Sequence, residues 1–214
     1  MSSAQPLSSS GNVSAEERAI AAARKGDVGA FNQLVALYQD LAYTVAVRLV
    51  GDRDTANDVC QEAFFSAFRN LRQFHGGSFR SWLLRIVTNA SYDVLRSRKR
   101  HDTVSIDGRA PDDSFDERSA FGDPVVIPDD AALPEDLAQR GEFFRVVEEG
   151  LKSLPVEQRA VLVLYDVHGF SYEEVATTLG TNLGTVKSRL SRARGRLRDY
   201  LVRHPELWRA EERL

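Results

Sequence analysis

Cysteine is nearly missing from this chain of 214 residues: Cys60 stands alone. A disulfide framework needs a pair and a cysteine-based metal site needs several, so both are excluded, and a reducing cytoplasm fits. Long apolar runs are absent too, since no stretch approaches the roughly 20 residues that span a bilayer. Membrane insertion is therefore not expected. The opening MSSAQPLSSSGNV has neither the charged nor the apolar segment of a secretory signal and reads as a flexible tail. Histidines are few and scattered, at His75, His101, His168 and His204, without metal-ligand spacing. No phosphate-cradling glycine loop or nucleophile motif is found, and Asp166 with His168 reads as a helix cap or surface pair. These absences argue against catalysis and call for no cofactor. An excess of positive charge is also lacking: 28 Lys and Arg face 31 Asp and Glu, a net charge of −3 that does not suit a free-standing DNA binder. The signs are, however, segregated along the chain.

What is present centres on SYEEVATTLGTNLGTVKSRLSRARGRLRDYL, Ser171 to Leu201. Ser171 and Glu174 form a capping box that opens a helix. Val175, Ala176 and Leu179 give it an apolar face, and Gly180 ends it in the left-handed conformation. Asn182 is the N-cap of a second helix with a buried stripe of Val186, Leu190, Ala193, Leu197 and Leu201. Around that stripe stand Lys187, Arg189, Arg192, Arg194, Arg196 and Arg198. A short helix, a tight turn and a longer basic helix make a helix-turn-helix that lays its second helix in the DNA major groove.

Upstream, Ser14 and Glu17 read as a capping box for a helix over Ala15–Lys25, broken at Gly26 and Asp27. A long amphipathic helix follows over Ala30–Val50. Asp52 caps a third, Arg53–Phe74, whose expected buried stripe is Ala56, Val59, Cys60, Ala63, Phe64, Ala67, Phe68 and Leu71. At about 100° per residue the opposite face carries Asp58, Gln61, Glu62, Phe65 and Arg69. An exposed phenylalanine among carboxylates points to docking rather than solvation.

After a loop, Gln73–Ser78, Ser78 caps a helix from Phe79 to about Arg98. Its expected outer face holds Arg85, Thr88, Tyr92, Arg96 and Lys99, with Asn89 at the margin. Cations interleaved with an aromatic suit single-stranded nucleic acid, because the cations track phosphate and the ring stacks on a base. Between 101 and 139 acidic side chains face only Arg109 and Arg118, and Pro111, Pro124, Pro128 and Pro134 break any helical period. This reads as a flexible linker containing one apolar island, Pro124 to Pro128. Helices resume with Phe143, Phe144, Val146, Val147 and Leu151, then with a segment from Pro155 to Gly169. The fold class is all-α: two small helical domains joined by a flexible acidic linker. The boundaries are a tail at 1–13, a first domain at 14–100, the linker at 101–139, the helix-turn-helix domain at 140–203 and a charged tail at 204–214.

Three stretches in this order resemble the extracytoplasmic-function class (group four) of bacterial sigma factors, the promoter-specificity subunits of RNA polymerase. DVCQEAFFSAFRNL (58–71) is similar to the family's polymerase-docking helix, and FRSWLLRIVTNASYDVLRSRKR (79–100) to its promoter-melting helix. SLPVEQRAVLVLYDVHGFSYEEVATTLGTNLGTVKSRLSRARGRLR (153–198) is similar to its promoter-reading domain. Cys60, in place of a usual aliphatic, and the Asn182-Leu183 turn depart from the pattern. The resemblance implies that Asp58, Gln61, Glu62 and Phe65 dock on the clamp of the polymerase's largest subunit, and that the flap of the second largest is a further contact. It implies that the Gln73–Ser78 loop with His75, together with Asn89, captures a base flipped from the −10 element, beside a strand held by Arg85, Tyr92, Arg96 and Lys99. In the −35 element it implies base-edge or phosphate contacts for Thr185, Lys187, Ser188, Ser191 and Arg192, with phosphate or domain contacts for Arg189, Arg194 and Arg196. Members are often held inactive by an anti-sigma factor, a further partner the resemblance allows. The rival from the residues alone is a stand-alone helix-turn-helix regulator, which leaves Phe65 unexplained.

Overall fold

Asp27 and Asp52 set the starts of two of the first three helices in the computed structural model, which describes residues 10–104 and 145–204. Each aspartate lies in extended backbone and accepts the amide of the residue three positions on, Ala30 at 3.0 Å and Thr55 at 2.9 Å. Such caps satisfy amides that the helix itself cannot. The elements are α1 (Ser10–Ala23), α2 (Val28–Val50), α3 (Arg53–Asn70) with a 3₁₀ turn at Leu71–Gln73, and α4 (Phe79–Val104). After the undescribed stretch come α5 (145–152), α6 (Val156–Leu162), a π-helical turn at Val163–Val167, α7 (Tyr172–Leu179) and α8 (Leu183–Val202). Among the described residues there is no strand, and no helix is long and apolar enough to cross a membrane.

Several boundaries differ from expectation. α1 begins at Ser10, so Ser14 falls inside the helix, where the ladder already runs and no start remains to be capped. α3 stops at Asn70 because the chain tightens into 3₁₀ geometry before Phe74. α4 runs on to Val104, into the stretch expected to be linker. The remainder of that linker, its apolar island, Phe143, Phe144, the N-terminal tail before Ser10 and the tail beyond His204 lie outside the described residues.

The first four helices pack as one unit. Phe31, Leu34, Ala67, Leu71, Phe74, Phe79 and Leu83 form one buried cluster, in which Phe74 and Phe79 meet edge to face at 5.7 Å. The second cluster is not confined to one domain. Ala42, Val45, Leu49, Val59, Leu84 and Val87 of the first four helices share it with Leu154, Val161, Phe170, Val175 and Leu190 of the last four. The two helical units therefore close directly on each other. Leu84 and Val87 of α4 thus face the second unit as well as the first, which periodicity along α4 does not reveal.

A buried arginine fastens this junction. Arg159 of α6 donates to the carbonyls of Leu49 (2.6 Å), Leu154 (3.0 Å) and Lys152, which lie at the end of α2, just after α5 and at its last residue respectively. These are carbonyls that no helix ladder satisfies, and the negative ends of two helix dipoles converge on the cation. Burial pushes the guanidinium pKa down from its usual value.

Candidate nucleic-acid and partner interfaces

The exposed face of α3 carries Asp58, Gln61, Glu62 and Phe65. Their spacing places them on one side of a helix whose opposite side, Ala56, Val59, Ala63 and Ala67, is buried. Phe65 is 66% exposed, and Glu62 is paired with Arg69 at 3.0 Å. Beside Phe65, a groove of about 660 Å³ runs between α2 and α3. Its wall includes Phe31, Tyr43, Cys60, Phe64 and Phe68. The sequence reading put Cys60, Phe64 and Phe68 in the core; they are half-buried and line this groove. The alanines on their flank let α3 approach α2 and α4 closely, which leaves the larger side chains to form a wall. Burial pushes the Cys60 thiol up to about 11, so it stays protonated and acts as a small apolar surface.

Phe74 and Phe79, both buried, anchor the two ends of the loop that exposes His75 and the two glycines after it. Ser78 Oγ accepts the Ser81 amide at 3.1 Å and starts α4. Arg85 and Asn89, one turn apart, are exposed on α4, as are Arg96 and Lys99 further along. Arg96 pairs loosely with Asp93 at 3.4 Å. Two of the expected outer residues are placed differently. Thr88 is only 1% exposed, and its hydroxyl has no hydrogen-bond partner among the described residues. Tyr92 is half-buried, its phenol pushed up to about 12 by burial first and then by Glu157, while Arg189 and Arg96 act the other way. Glu157 and Arg189 belong to the second unit, so this flank of α4 is covered by it.

The helix-turn-helix is built as its residues dictate. Ser171 Oγ accepts the Glu174 amide at 3.1 Å, and Glu174 accepts the Ser171 amide at 2.8 Å. Gly180 takes φ +60°, which an L side chain rarely adopts, and Asn182 accepts the Thr185 amide at 2.8 Å. Val186, Leu190 and Ala193 are buried, while Leu197 and Leu201 are half-buried. Lys187, Ser191, Arg192 and Arg196 are exposed along α8. Thr185 and Ser188 are half-buried, Ser188 donating to the Thr185 carbonyl at 3.1 Å.

Arg194 is engaged within the unit. It binds Asp166 in a two-pronged pair, with Nε–Oδ2 at 3.0 Å, and lies 5.5 Å from the Tyr165 ring centre. Tyr165 stacks in turn on Tyr172 at 4.5 Å. Asp166 is thus the anchor of Arg194, neither cap nor idle surface, and only the π-helical turn brings it to α8. The His168 ring is not a surface group either: its Nε2 is buried without a hydrogen-bond partner among the described residues. Burial first, then Arg48 and Arg80, pull its pKa down to about 4.

With this geometry in place, comparison with known proteins is direct. Residues 34–101 match the Sigma-70 region 2 family and residues 144–197 match the Sigma-70, region 4 family. Among curated relatives, the RNA polymerase sigma-H factor of Pseudomonas aeruginosa is 37% identical over 84% of this chain and 90% of its own length. The ECF sigma factor SigW of Bacillus subtilis is 33% identical over 83% of this chain and 92% of its own. SigE of Mycolicibacterium smegmatis is 38% identical over 81% of this chain, which spans 62% of that longer protein. The solved structure of the sigma factor RpoE with the anti-sigma factor NepR from Bartonella quintana superposes with a TM-score of 0.60 at 27% identity, covering 81% of this chain and 98% of that one. CnrH in complex with the cytosolic domain of CnrY gives 0.60 at 29% identity, covering 87% and 97%. The two matched regions define a sigma factor. The chain belongs to the extracytoplasmic-function class of RNA polymerase sigma factors, proteins that direct promoter-specific transcription initiation.

Proposed function

We propose that the three surfaces divide the work of initiation. The α3 face of Asp58, Gln61, Glu62 and Phe65 docks on the clamp of the largest polymerase subunit, and the second unit meets the flap of the second largest. The observation that carries this is Phe65, 66% exposed in a carboxylate stripe and beside an apolar groove. Solvation alone gives no reason to hold a benzyl group there.

The loop around His75 and the α4 edge of Arg85, Asn89, Tyr92, Arg96 and Lys99 take the non-template strand of the −10 element. Extruding a base costs a few kcal/mol, so a preformed pocket selects sequence while it helps to open the duplex. Thr185, Lys187, Ser188, Ser191, Arg192 and Arg196 of α8 read the −35 element. A bidentate arginine–guanine pair there is worth roughly 1–3 kcal/mol of discrimination. Arg194, held by Asp166, steadies α8 and lends its charge to nearby phosphates. The role is non-catalytic and cytoplasmic. An anti-sigma factor, the kind of partner solved with RpoE of Bartonella quintana, is the expected brake.

Run-off transcription with purified core polymerase and a randomised-promoter library tests this assignment. Chain-dependent transcripts from templates sharing two short elements support it; chain-independent initiation overturns it.

A further inference from the structure

Tyr165 and Tyr172 stack with 4.5 Å between ring centres and an interplanar angle of 26°. Tyr165 stands in the π-helical turn and Tyr172 is the first residue of α7, so the pair ties that turn to the helix-turn-helix. Both are half-buried and packed against the core. Two aliphatic side chains could fill the same space. They could not attract a cation, and each of these rings has one beside it.

Arg194 lies 5.5 Å from the Tyr165 ring centre, and Lys187 Nζ lies 5.7 Å from that of Tyr172. The two cations are seven positions apart on α8. That spacing puts them about 20° apart around the helix axis and about 10 Å apart along it. They share a flank but are fixed differently. Arg194 is held by Asp166. Lys187 is exposed and has no carboxylate partner among the described residues, so the Tyr172 ring is what restrains it. A lysine on its long flexible stem samples many directions, and every one that points away from DNA dilutes the productive one.

We infer that Tyr172, backed by Tyr165, is a positioning residue of the −35 reader and that its ring points Lys187 at the DNA. The inference rests on the −35 assignment of Lys187 made above. Contacts run in the order Asp166, Arg194, Tyr165, Tyr172, Lys187. The series is anchored at the ion pair and free at the end that meets the promoter. Neither ring has to touch a nucleotide: each acts through the cation beside it.

A double-mutant cycle tests this in the full chain assembled with core polymerase, on a promoter duplex that the parent selects from the randomised library. The variants are Tyr172→Phe, Tyr172→Leu, Lys187→Ala and the double variant Tyr172→Leu with Lys187→Ala, with circular dichroism to establish folding. Tyr172→Leu is expected to weaken promoter affinity roughly threefold, and Tyr172→Phe, which keeps a ring, to change it by less than about 1.5-fold. Once Lys187 is gone, Tyr172→Leu should add nothing. Equal losses in the Phe and Leu variants mean that the phenol itself acts on DNA and overturn the inference. So does a loss from Tyr172→Leu that persists in the Lys187→Ala background. Unchanged affinity in Lys187→Ala refutes the −35 assignment of Lys187 and the inference with it. A loss in Lys187→Ala beside none in Tyr172→Leu refutes the inference alone. NMR of the chain with isotope-labelled lysine gives a second readout without DNA. The ε-methylene signal of Lys187, identified by its absence in Lys187→Ala, should be shifted upfield by the ring in the parent and in Tyr172→Phe. An unshifted signal in the parent overturns the inference even if Tyr172→Leu fails to fold.

Discussion

Arg159 Nη1 donates to the carbonyl of Leu49 at 2.6 Å, so a cation of the second helical unit closes the C-terminal end of a helix in the first. The same guanidinium serves Leu154 and Lys152, and among the described residues it has no carboxylate as a hydrogen-bond partner. Its stabilisation comes from carbonyls at helix ends, which only a planar fork can reach together.

Arg159→Ala is accordingly expected to destabilise the protein by about 2–4 kcal/mol, since it leaves buried carbonyls unpaired as well as a void. Arg159→Lys should recover less than half of the loss, because one ammonium cannot span all three acceptors. Urea unfolding of the three proteins at equal concentration checks both statements.

His168 makes stability depend on pH. Its folded-state pKa of about 4 lies below the ordinary 6.5, so the unfolded chain binds more protons in between. The contribution is complete above pH 6.5 and is lost as the pH falls towards about 4. Its size, discounted for the solvent that reaches the ring, is on the order of 1 kcal/mol. His168→Asn should flatten the urea midpoint against pH in that window, relative to the parent. Arg48 and Arg80 are the cations that face the ring, and Arg80→Ala should raise the His168 pKa seen by NMR.

Phe65 separates docking from folding. Being 66% exposed, it contributes little to the core, and Phe65→Ala should alter stability by less than about 0.5 kcal/mol. Loss of an aromatic anchor at the centre of an interface typically costs 2 kcal/mol or more, so affinity for core polymerase should fall at least roughly thirtyfold. Fluorescence titration with core enzyme measures the second effect and thermal melting the first.

Asp166 and Arg194 predict opposite changes in DNA binding. Asp166→Asn frees the Arg194 guanidinium from its partner and should strengthen the binding of duplex of any sequence, with a salt slope steeper by up to about one. Arg192→Ala, at an exposed position, should instead weaken the specific duplex by roughly tenfold and spare non-specific binding more. Anisotropy over a salt series distinguishes the two.

Much of this was legible in the residues. Asp52, Ser171 with Glu174, Gly180 and Asn182 are local signals, and each forms the cap that its neighbours call for. The exposure of Phe65 followed from a 100° count along α3. What escaped is non-local. Thr88 and Tyr92 belong to the polar side of α4 by periodicity, and they are covered only because another unit lies against them. Arg159 stands in LPVEQRAVLVL like a surface residue two positions after Glu157; its acceptors are instead backbone carbonyls, one of them 110 positions away. The pairing of Asp166 with Arg194 depends on a π turn that the apolar run VLVLYDV does not announce.

The most direct measurement of the division of labour is promoter selection by core polymerase with the parent chain, Asn89→Ala and Arg192→Ala. The account predicts that the parent enriches templates carrying two short elements at fixed spacing. Asn89→Ala should relax the downstream element alone, and Arg192→Ala the upstream element alone. Relaxation of the same element by both variants, or of neither, would contradict it.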